Sequence, residues 1–216
     1  MSPLFTVLKE HELEMVDQNK FTVMFKKGET IRKQGTYMSH VVSLNSGLAK
    51  LYLEGSGFRN AIIRIVKPTN FIGGPGIYLD SMHHYTVTAV QDSTVCFIDI
   101  EVFKKIIDLN KTFAHEFMKD FSRNILSVYT RLLSLTQKQS IGRMADTILY
   151  LFDEIFESNK IPLLFPKQDL ADLSAMSKES AIQVLRQFNK EGIIRMTRDE
   201  MELLDRGRLV RMSQFC

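Results

Sequence analysis

The sequence has few cysteines and lacks a long apolar run, and these two absences limit what the protein can be. Its two cysteines, Cys96 and Cys216, lie far apart without the spacing of a metal site, which fits a reducing compartment. No apolar run approaches the ~18 residues that cross a membrane. The N-terminus lacks a basic segment followed by an apolar signal core. We therefore expect a cytoplasmic protein with no membrane partner.

A catalytic pattern is also missing from the sequence. No nucleophile stands with a base and an orienting acid at a recognisable spacing, so we expect a protein that is not an enzyme. One alternative is a metal-dependent enzyme on a small β-barrel that uses His40, His83 and His84. Such a site would lack a histidine pair at alternating strand positions with a matching glutamate, so its set of metal ligands would be incomplete.

Length and charge allow a real core and one basic segment. The 216 residues, 44% of them hydrophobic, are enough for two modest domains or one large domain. A net charge of +3 is a weak argument for nucleic-acid binding, but residues 178–198 contain five basic residues and only two acidic ones. Phosphates respond to such local positive potential. The alternative is a helix face that is merely solvated.

Residues 21–100 alternate short β-type runs with glycine turns. The runs cover residues 21–25, 30–31, 41–44, 48–53, 61–66, 86–90 and 94–98. The breaks between them include Gly28, Gly35, Gly47, Gly55 and the cluster at 73–76. Regular short strands with glycine turns predict a small antiparallel barrel or roll. A short helix over residues 4–18 is predicted to precede it.

Residues 111–137 predict one long helix with two apolar faces. One face, here called the seam, repeats with spacings of four, three, four and three, which is a heptad pattern: Phe121, Ile125, Val128, Leu132 and Leu135. A second stripe contains Leu126, Tyr129 and Leu133. We expect the second stripe to pack on the roll and the seam to pack on the same helix of a second subunit. The alternative is burial of the helix inside a larger monomer.

Residues 167–188 predict a helix-turn-helix. Leu170, Ala171 and Leu173 form one short apolar face, a break follows at 174–176, and Ser177 can cap the next helix. The second helix has a buried stripe at i, i+3, i+4 and i+7: Ala181, Val184, Leu185 and Phe188. A helix between residues 140 and 156 is predicted to lead into this pair through a connection at 159–166.

The opposite face of that second helix is polar. It carries Lys178, Glu179, Gln183 and Arg186, whose side chains can bond to base edges in a major groove. Gly192 then stops the helix, and residues 193–196 and 201–204 read as a hairpin. A helix pair followed by a hairpin is a winged helix. The alternative is an ordinary helical hairpin.

Several segments together carry a resemblance to a known family. They are FKKGETI at 25–31 with Gly35, SGL at 46–48, FIG at 71–73, DLA at 169–171 and SKES at 177–180. In this order, over essentially the whole chain, the sequence resembles the CRP/FNR family of bacterial transcription regulators. The resemblance implies an α+β fold with an N-terminal antiparallel β-roll, a jelly roll like that of cyclic-nucleotide-binding domains. A long dimerisation helix completes a first domain over 1–137, and a winged helix-turn-helix domain fills 138–216.

The resemblance also implies an effector pocket in the roll. Its lining corresponds to Gly73, Gly74, His84, Tyr85, Val128 and Tyr129. Members that bind cyclic nucleotides hold the ribose with a glutamate and the phosphate with an arginine and a serine. Here Gly74, His84 and Tyr85 occupy those places, which removes the fixed cation that a phosphodiester requires. We therefore do not expect cyclic AMP, and the effector is unidentified.

Other cofactors of this family can be compared with the sequence in the same way. An iron–sulfur cluster needs about four thiolate ligands, and two cysteines are too few. The adjacent pair His83 and His84 leaves a haem-based gas sensor as an alternative, because neutral imidazole is a good iron ligand. A cyclic-nucleotide regulatory subunit that binds no DNA is a further alternative, but it would leave the C-terminal half without a purpose.

Finally, the resemblance implies a homodimer on a palindromic operator, with recognition helices about one DNA turn, ~34 Å, apart. RNA polymerase is a further partner that the family implies. Lys178, Glu179 and Gln183 would read bases. The side chains expected to hold phosphates are Ser177, Arg186, Lys190 and Arg195. Gln183 stands where well-known members have an arginine that reads guanine, so the preferred half-site should differ.

Overall fold

The computed structural model describes residues 3–55, 60–68 and 70–215, so Cys216, one of the two cysteines, lies outside the described residues. The chain divides into two compact units. The first unit contains Met1–Glu54 and Arg64–Ser127, and the second contains Gly55–Ile63 and Val128–Cys216. The division of the chain into functional domains after residue 137 stays a prediction.

The first unit begins with helices and continues into strands. A 3₁₀ helix, Pro3–Val7, precedes α1, Glu10–Gln18. The strands of the roll are β1 Lys20–Phe25, β2 Thr30–Arg32, β3 His40–Ser46, β4 Ala49–Glu54, β5 Asn60–Val66, β6 Phe71–Ile72, β7 Thr86–Ala89 and β8 Ser93–Asp99. Residues 60–63 of β5 are grouped with the second unit, and the rest of β5 with the first. They form two sheets with the orders β1-β8-β3-β6 and β2-β7-β4-β5. β1 and β3 both pair antiparallel to β8, which confirms the predicted roll.

A helix that the sequence patterns had not indicated follows the roll. In α2, Ile100–Leu109, the Asp99 carboxylate caps the first turn by accepting from the backbone N–H groups of Glu101 and Val102. Its apolar side packs on the sheet, where the ring of Phe103 stacks on Phe71 with centroids 4.9 Å apart. An aspartate cap before apolar residues at spacings of three was the signal in the sequence.

The long helix has the predicted bounds. α3 covers Lys111–Gln137, and Phe113 and Phe117 in its first turns join the aromatic core of the first unit. Along the seam, Val128 and Leu132 are exposed, by 41% and 56%. The other seam residues, Phe121, Ile125 and Leu135, are half-buried.

The second stripe of α3 is exposed in the single chain. Leu126, Tyr129 and Leu133 have exposed fractions of 55% to 63%. Tyr129 and Leu133 belong to the second unit and the roll to the first, so packing of this stripe on the roll stays a prediction. An i, i+3, i+7 spacing shows that apolar side chains share one side of a helix, but it does not show what lies opposite them.

The second unit contains the helix-turn-helix. Its elements are α4 Ser140–Tyr150, a π-helical turn Leu151–Ile155, β9 Lys160–Pro162, α5 Lys167–Leu173, α6 Lys178–Lys190, β10 Ile194–Met196, β11 Glu200–Leu203 and α7 Arg206–Phe215. The strands form one sheet in the order β10-β11-β9. The predicted hairpin is present. The region 159–166, expected to be only a connection, contributes β9, and α7 had not been predicted.

Hydrogen bonds hold the last helix to the first helix of this unit. The Asp146 carboxylate of α4 accepts from the hydroxyl of Ser213 on α7 at 2.5 Å. The same carboxylate receives the Lys138 ammonium at 2.8 Å and the Ser134 hydroxyl at 2.5 Å. A single carboxylate thus joins α7, α4 and the end of α3. Such a junction depends on residues far apart in the chain, which explains why sequence periodicity gave no sign of it.

Candidate nucleic-acid interface and effector segment

The turn between α5 and α6 has the geometry of a tight helix-turn-helix. α5 ends at Leu173, and Ala175 adopts a left-handed conformation with φ 46°. Ser177 then caps α6, because its hydroxyl accepts from the backbone N–H of Ser180 at 3.1 Å. The Ser174 hydroxyl is buried and donates to the Leu170 carbonyl at 2.8 Å. The two serine hydroxyls of the turn therefore both have local partners.

Two arginines that sequence reasoning missed bond to the carbonyls at this turn. Arg143 of α4 donates from Nε to the Ser174 carbonyl at 2.9 Å and from Nη1 to the Lys138 carbonyl at 2.8 Å. Arg131 of α3 donates to the Leu173 carbonyl. The last carbonyls of a helix have no partner within it, and arginine can supply fixed donors to them. The sequence shows only two arginines on apolar helices, and nothing in it says where they point.

Burial of the predicted stripe fixes the rotation of α6. Ala181, Val184, Leu185 and Phe188 are all buried, with Ala181 and Phe188 fully so. The side chains on the other side are exposed: Lys178, Glu179, Gln183, Arg186 and Lys190. Because this face points outward, its donors, acceptors and positive charge are accessible to a partner.

The exposed face of α6 has few internal partners. Within the described part of the chain, Lys178, Gln183, Arg186 and Lys190 form no hydrogen bond or ion pair through their side chains. Arg195 differs, because on β10 it faces Glu202 of β11 and pairs with it at 2.9 Å. An exposed ion pair of this kind contributes little free energy. Arg195 can therefore leave Glu202 for another partner at little cost.

In the first unit, the predicted effector segment, Gly73, Gly74, His84 and Tyr85, is only partly brought together. The Tyr85 hydroxyl donates to the Gly73 carbonyl. A Cβ on Gly74 would lie 2.6 Å from the Tyr85 hydroxyl oxygen, and Gly74 has φ 110°, so only glycine fits there. Burial raises the pKa of Tyr85 to about 12, which keeps the hydroxyl protonated.

His84 points away from this cluster. It is exposed, and its Nε2 lies 3.1 Å from the Asp80 carboxylate. The neighbouring His83 is only 4% exposed, and its Nδ1 has no hydrogen-bond partner among the described residues. The two adjacent histidines therefore do not share one environment. The two further predicted pocket residues, Val128 and Tyr129, are exposed on α3 in the second unit.

Two negative findings apply to residues 3–55, 60–68 and 70–215. No three histidine, cysteine, aspartate or glutamate side chains come together there as a metal site. In the same described part, no helix has the length and apolar character needed to cross a membrane.

Comparison with known proteins defines the class of both halves. Residues 22–110 match the cyclic nucleotide-binding domain, and residues 142–212 match the Crp-like helix-turn-helix domain. Among curated relatives, the transcriptional activator protein FnrA of Stutzerimonas stutzeri is 24% identical over 184 residues, covering 83% of this chain and 75% of that protein. Electron transport regulator A of Shewanella oneidensis is 23% identical over 209 residues, covering 94% and 82%.

Solved structures share the fold. FixK2 from Bradyrhizobium japonicum superposes with a TM-score of 0.80 at 19% identity, covering 89% of this chain and 96% of that chain. A CRP/FNR-family regulator from Eubacterium rectale superposes with a TM-score of 0.81 at 19% identity, covering 98% of each chain. The protein is thus a transcription regulator with a helix-turn-helix DNA-binding domain, as the sequence predicted, and not an enzyme. The chain belongs to the CRP/FNR family.

The buried His83 leads to a prediction about pH. Burial, and then the nearby Arg32 guanidinium, lower the pKa of His83 to about 4, so the fold favours the neutral imidazole. An unfolded histidine takes up its proton near pH 6.5, whereas the native one does so near pH 4. The free energy of unfolding should therefore be unaffected by His83 above pH 6.5 and fall by about 3 kcal/mol as the pH drops to 4.

Histidine-detected NMR titration, with chemical unfolding at each pH, measures both quantities. His84→Gln is the comparison variant. It removes the charge that contributes least of the three causes lowering the His83 pKa, so His83 should still protonate well below pH 6.5. A His83 resonance that titrates at its ordinary value would contradict the prediction.

Proposed function

We propose that the protein acts as a homodimer that binds a palindromic DNA site through its two copies of α6. The observation that supports this most is the outward face of α6, whose rotation is fixed by its fully buried stripe. Two-fold symmetric helices about one DNA turn, ~34 Å, apart enter successive major grooves, so the two half-sites mirror each other. Double-stranded DNA is thus the proposed partner. A cytoplasmic location is part of the same proposal.

Within that interface we assign two kinds of contact. Lys178, Glu179 and Gln183 stand on the first turns of α6, where side chains reach base edges. Phosphate contacts are assigned to the residue that caps the helix and to the basic side chains that follow: Ser177, Arg186, Lys190 and Arg195. Phosphate contacts fix the register on the duplex, whereas base contacts specify the sequence. Gln183 suits adenine, because its amide NH₂ can donate to N7 while its amide oxygen accepts from the N6 amino group, which makes a bidentate pair.

The seam of α3 is the proposed dimer contact. Val128 and Leu132 are exposed in the single chain, and all five seam residues repeat at heptad spacing. Packing this seam on its copy would remove apolar surface from water, which stabilises association at roughly 25 cal/mol per Å². The same seam in both chains gives a two-fold interface, which is what a palindromic operator requires.

The effector of the roll is proposed not to be cyclic AMP. Gly74 has no side chain to bond the ribose, and Tyr85 already donates to Gly73 instead of facing a phosphate. His84 is exposed and paired with Asp80. Related folds respond to different molecules. The c-di-GMP responsive regulator CLP of Xanthomonas campestris superposes with a TM-score of 0.76 at 15% identity, covering 90% of this chain and 99% of that chain. An unidentified effector would shift the balance between DNA-binding and non-binding states by preferring one of them.

RNA polymerase is the second proposed macromolecular partner. This part of the proposal rests on family membership, because regulators named transcriptional activators are among the relatives.

The division between base and phosphate contacts predicts different effects of two substitutions. Gln183→Ala should relax the preference at one base position, because it removes a bidentate contact worth about 1–3 kcal/mol of discrimination. Lys190→Ala should weaken all sites alike and reduce the salt slope by about one. Mobility-shift titrations on a panel of single-base variants, at several salt concentrations, separate the two. Equal effects of both substitutions across the panel would overturn the assignment.

The dimer proposal predicts that a charge on the seam separates the subunits. Leu132→Asp should convert the protein to monomers and abolish cooperative binding to a two-half-site duplex, because burying an unpaired carboxylate is costly. Ser127→Asp is the matched control, since it adds the same charge to an exposed position on another side of α3. Sedimentation equilibrium measures the masses. A wild-type protein that sediments as a monomer would refute the proposal.

The effector proposal predicts no saturable binding of cyclic AMP or cyclic GMP. Isothermal titration with each nucleotide should give only heats of dilution, because the roll lacks a fixed cation and fork of donors for the phosphate. A double substitution, His84→Arg with Tyr85→Ser, restores the residue types that such a phosphate requires and serves as the positive comparison. Micromolar affinity of the unmodified protein would contradict the prediction.

A further inference from the structure

A small cavity lies in the first unit, on the side of the β1-β8-β3 sheet that the N-terminal helices cover. Its volume is about 130 Å³. Two groups of side chains line it, one polar and one apolar: Lys20, Thr22, Ser43, Asn45 and Cys96, and Phe5, Val16 and Ile98. The cavity shares no lining residue with the effector segment. It is therefore a separate place from the proposed effector pocket.

Strand register explains why polar side chains meet at this cavity. Thr22 of β1 and Ser43 of β3 both pair with Cys96 of β8. Side chains directly across neighbouring strands stand on the same face of a sheet, so these three form one row. Phe97, the next residue along β8, points to the opposite face and stacks on Phe21 with ring centroids 5.1 Å apart. The polar row is thus turned toward the helices, with Ser43 and Cys96 buried and Thr22 exposed at its edge.

One buried hydroxyl of this row is unpaired among the described residues. Ser43 is 2% exposed, lines the cavity, and forms no hydrogen bond through its Oγ in the described part of the chain. Nearly all buried polar groups in proteins are hydrogen-bonded, because an unpaired one keeps the full cost of its desolvation. A polar atom of another molecule in the cavity would supply the missing partner.

The lining favours a ligand without net charge. The Lys20 ammonium is already paired with the Asp17 carboxylate at 2.5 Å, so it does not offer a free positive charge. Burial raises the pKa of the Cys96 thiol, which stays neutral near pH 7. The remaining polar groups are hydroxyls and an amide. Placing an ion among neutral groups costs much more than placing a neutral hydrogen-bonding molecule there.

We propose that this cavity is a binding site for a small uncharged molecule that has one hydrogen-bonding end and one apolar end. The polar end would bond to the Ser43 hydroxyl, and the apolar end would lie against Phe5, Val16 and Ile98. A water molecule occupies about 30 Å³ in the liquid, so the cavity has room for about four such groups. Phe5 and Val16 belong to the N-terminal helices, so an occupied site would hold those helices to the sheet.

Acetamide is a suitable probe, and acetate is its charged counterpart of the same shape. The full-length protein, labelled with ¹³C at isoleucine and valine methyl groups, is titrated with each compound. We expect the methyl resonances of Ile98 and Val16 to shift and saturate with millimolar acetamide. Acetate should bind at least about tenfold more weakly, the ratio that corresponds to 1.4 kcal/mol.

Two variants locate the site. Ser43→Ala removes the hydrogen bond and should weaken acetamide binding about tenfold, while the folded protein without ligand keeps its thermal midpoint, because no partner is left unpaired. Cys96→Met fills the cavity from the sheet and should abolish binding. If Cys96→Met fails to fold, the Ser43→Ala variant and the acetate comparison still test whether acetamide binds in this cavity.

Three results would overturn the proposal. They are the absence of a saturable shift with acetamide, equal affinity for acetate, and unchanged affinity in Ser43→Ala. The last would mean that the cavity holds only water near Ser43, or that the probe binds elsewhere. None of these outcomes depends on DNA binding or dimerisation, so the test is independent of the function proposed above.

Discussion

Burial of one apolar stripe on α6 is the constraint on which the DNA-binding unit depends. Ala181 and Phe188 are fully buried, so the helix cannot rotate about its axis without exposing a phenyl ring or burying charged side chains. The outward direction of Lys178, Gln183 and Arg186 follows from this packing and not from contacts of their own. The direction of this polar face is therefore set by the core beneath it.

The turn before α6 shows how the same unit holds an unfavourable backbone. Ala175 adopts φ 46°, a left-handed conformation that costs a residue with a Cβ roughly 1–2 kcal/mol. Arg143 bonds to the carbonyl of Ser174, and the Ser174 hydroxyl bonds back to Leu170. These bonds satisfy the end of α5 and keep the angle between the two helices. A polar network thus supports the geometry that the apolar stripe alone would leave loose.

The roll uses the two faces of β8 in different ways. The Phe97 side packs aromatic rings, and the Cys96 side presents a polar row to the N-terminal helices. Family membership therefore fixes the framework, while the residues at Gly74, His84 and Tyr85 and around Ser43 set the local chemistry of the roll. Regulators that share one fold can sense different molecules, because the side chains at the site differ.

The amino-acid sequence by itself determined the class of the protein. Helical periodicity predicted the long helix α3, and glycine-separated β runs predicted the roll. The stripe ending at Phe188 predicted the helix-turn-helix. These features are local, because hydrophobic period and turn chemistry are read over a few neighbouring residues.

Only the tertiary structure decided what depends on residues distant in the chain. It paired β9 with β11, brought Arg143 to the turn and united Asp146 with Ser213. It also left the second stripe of α3 exposed and placed Ser43 beside a cavity. The physical reason is that periodicity tells which side of an element is apolar, whereas the partner of that side, and of each polar group, is chosen by packing of the whole chain.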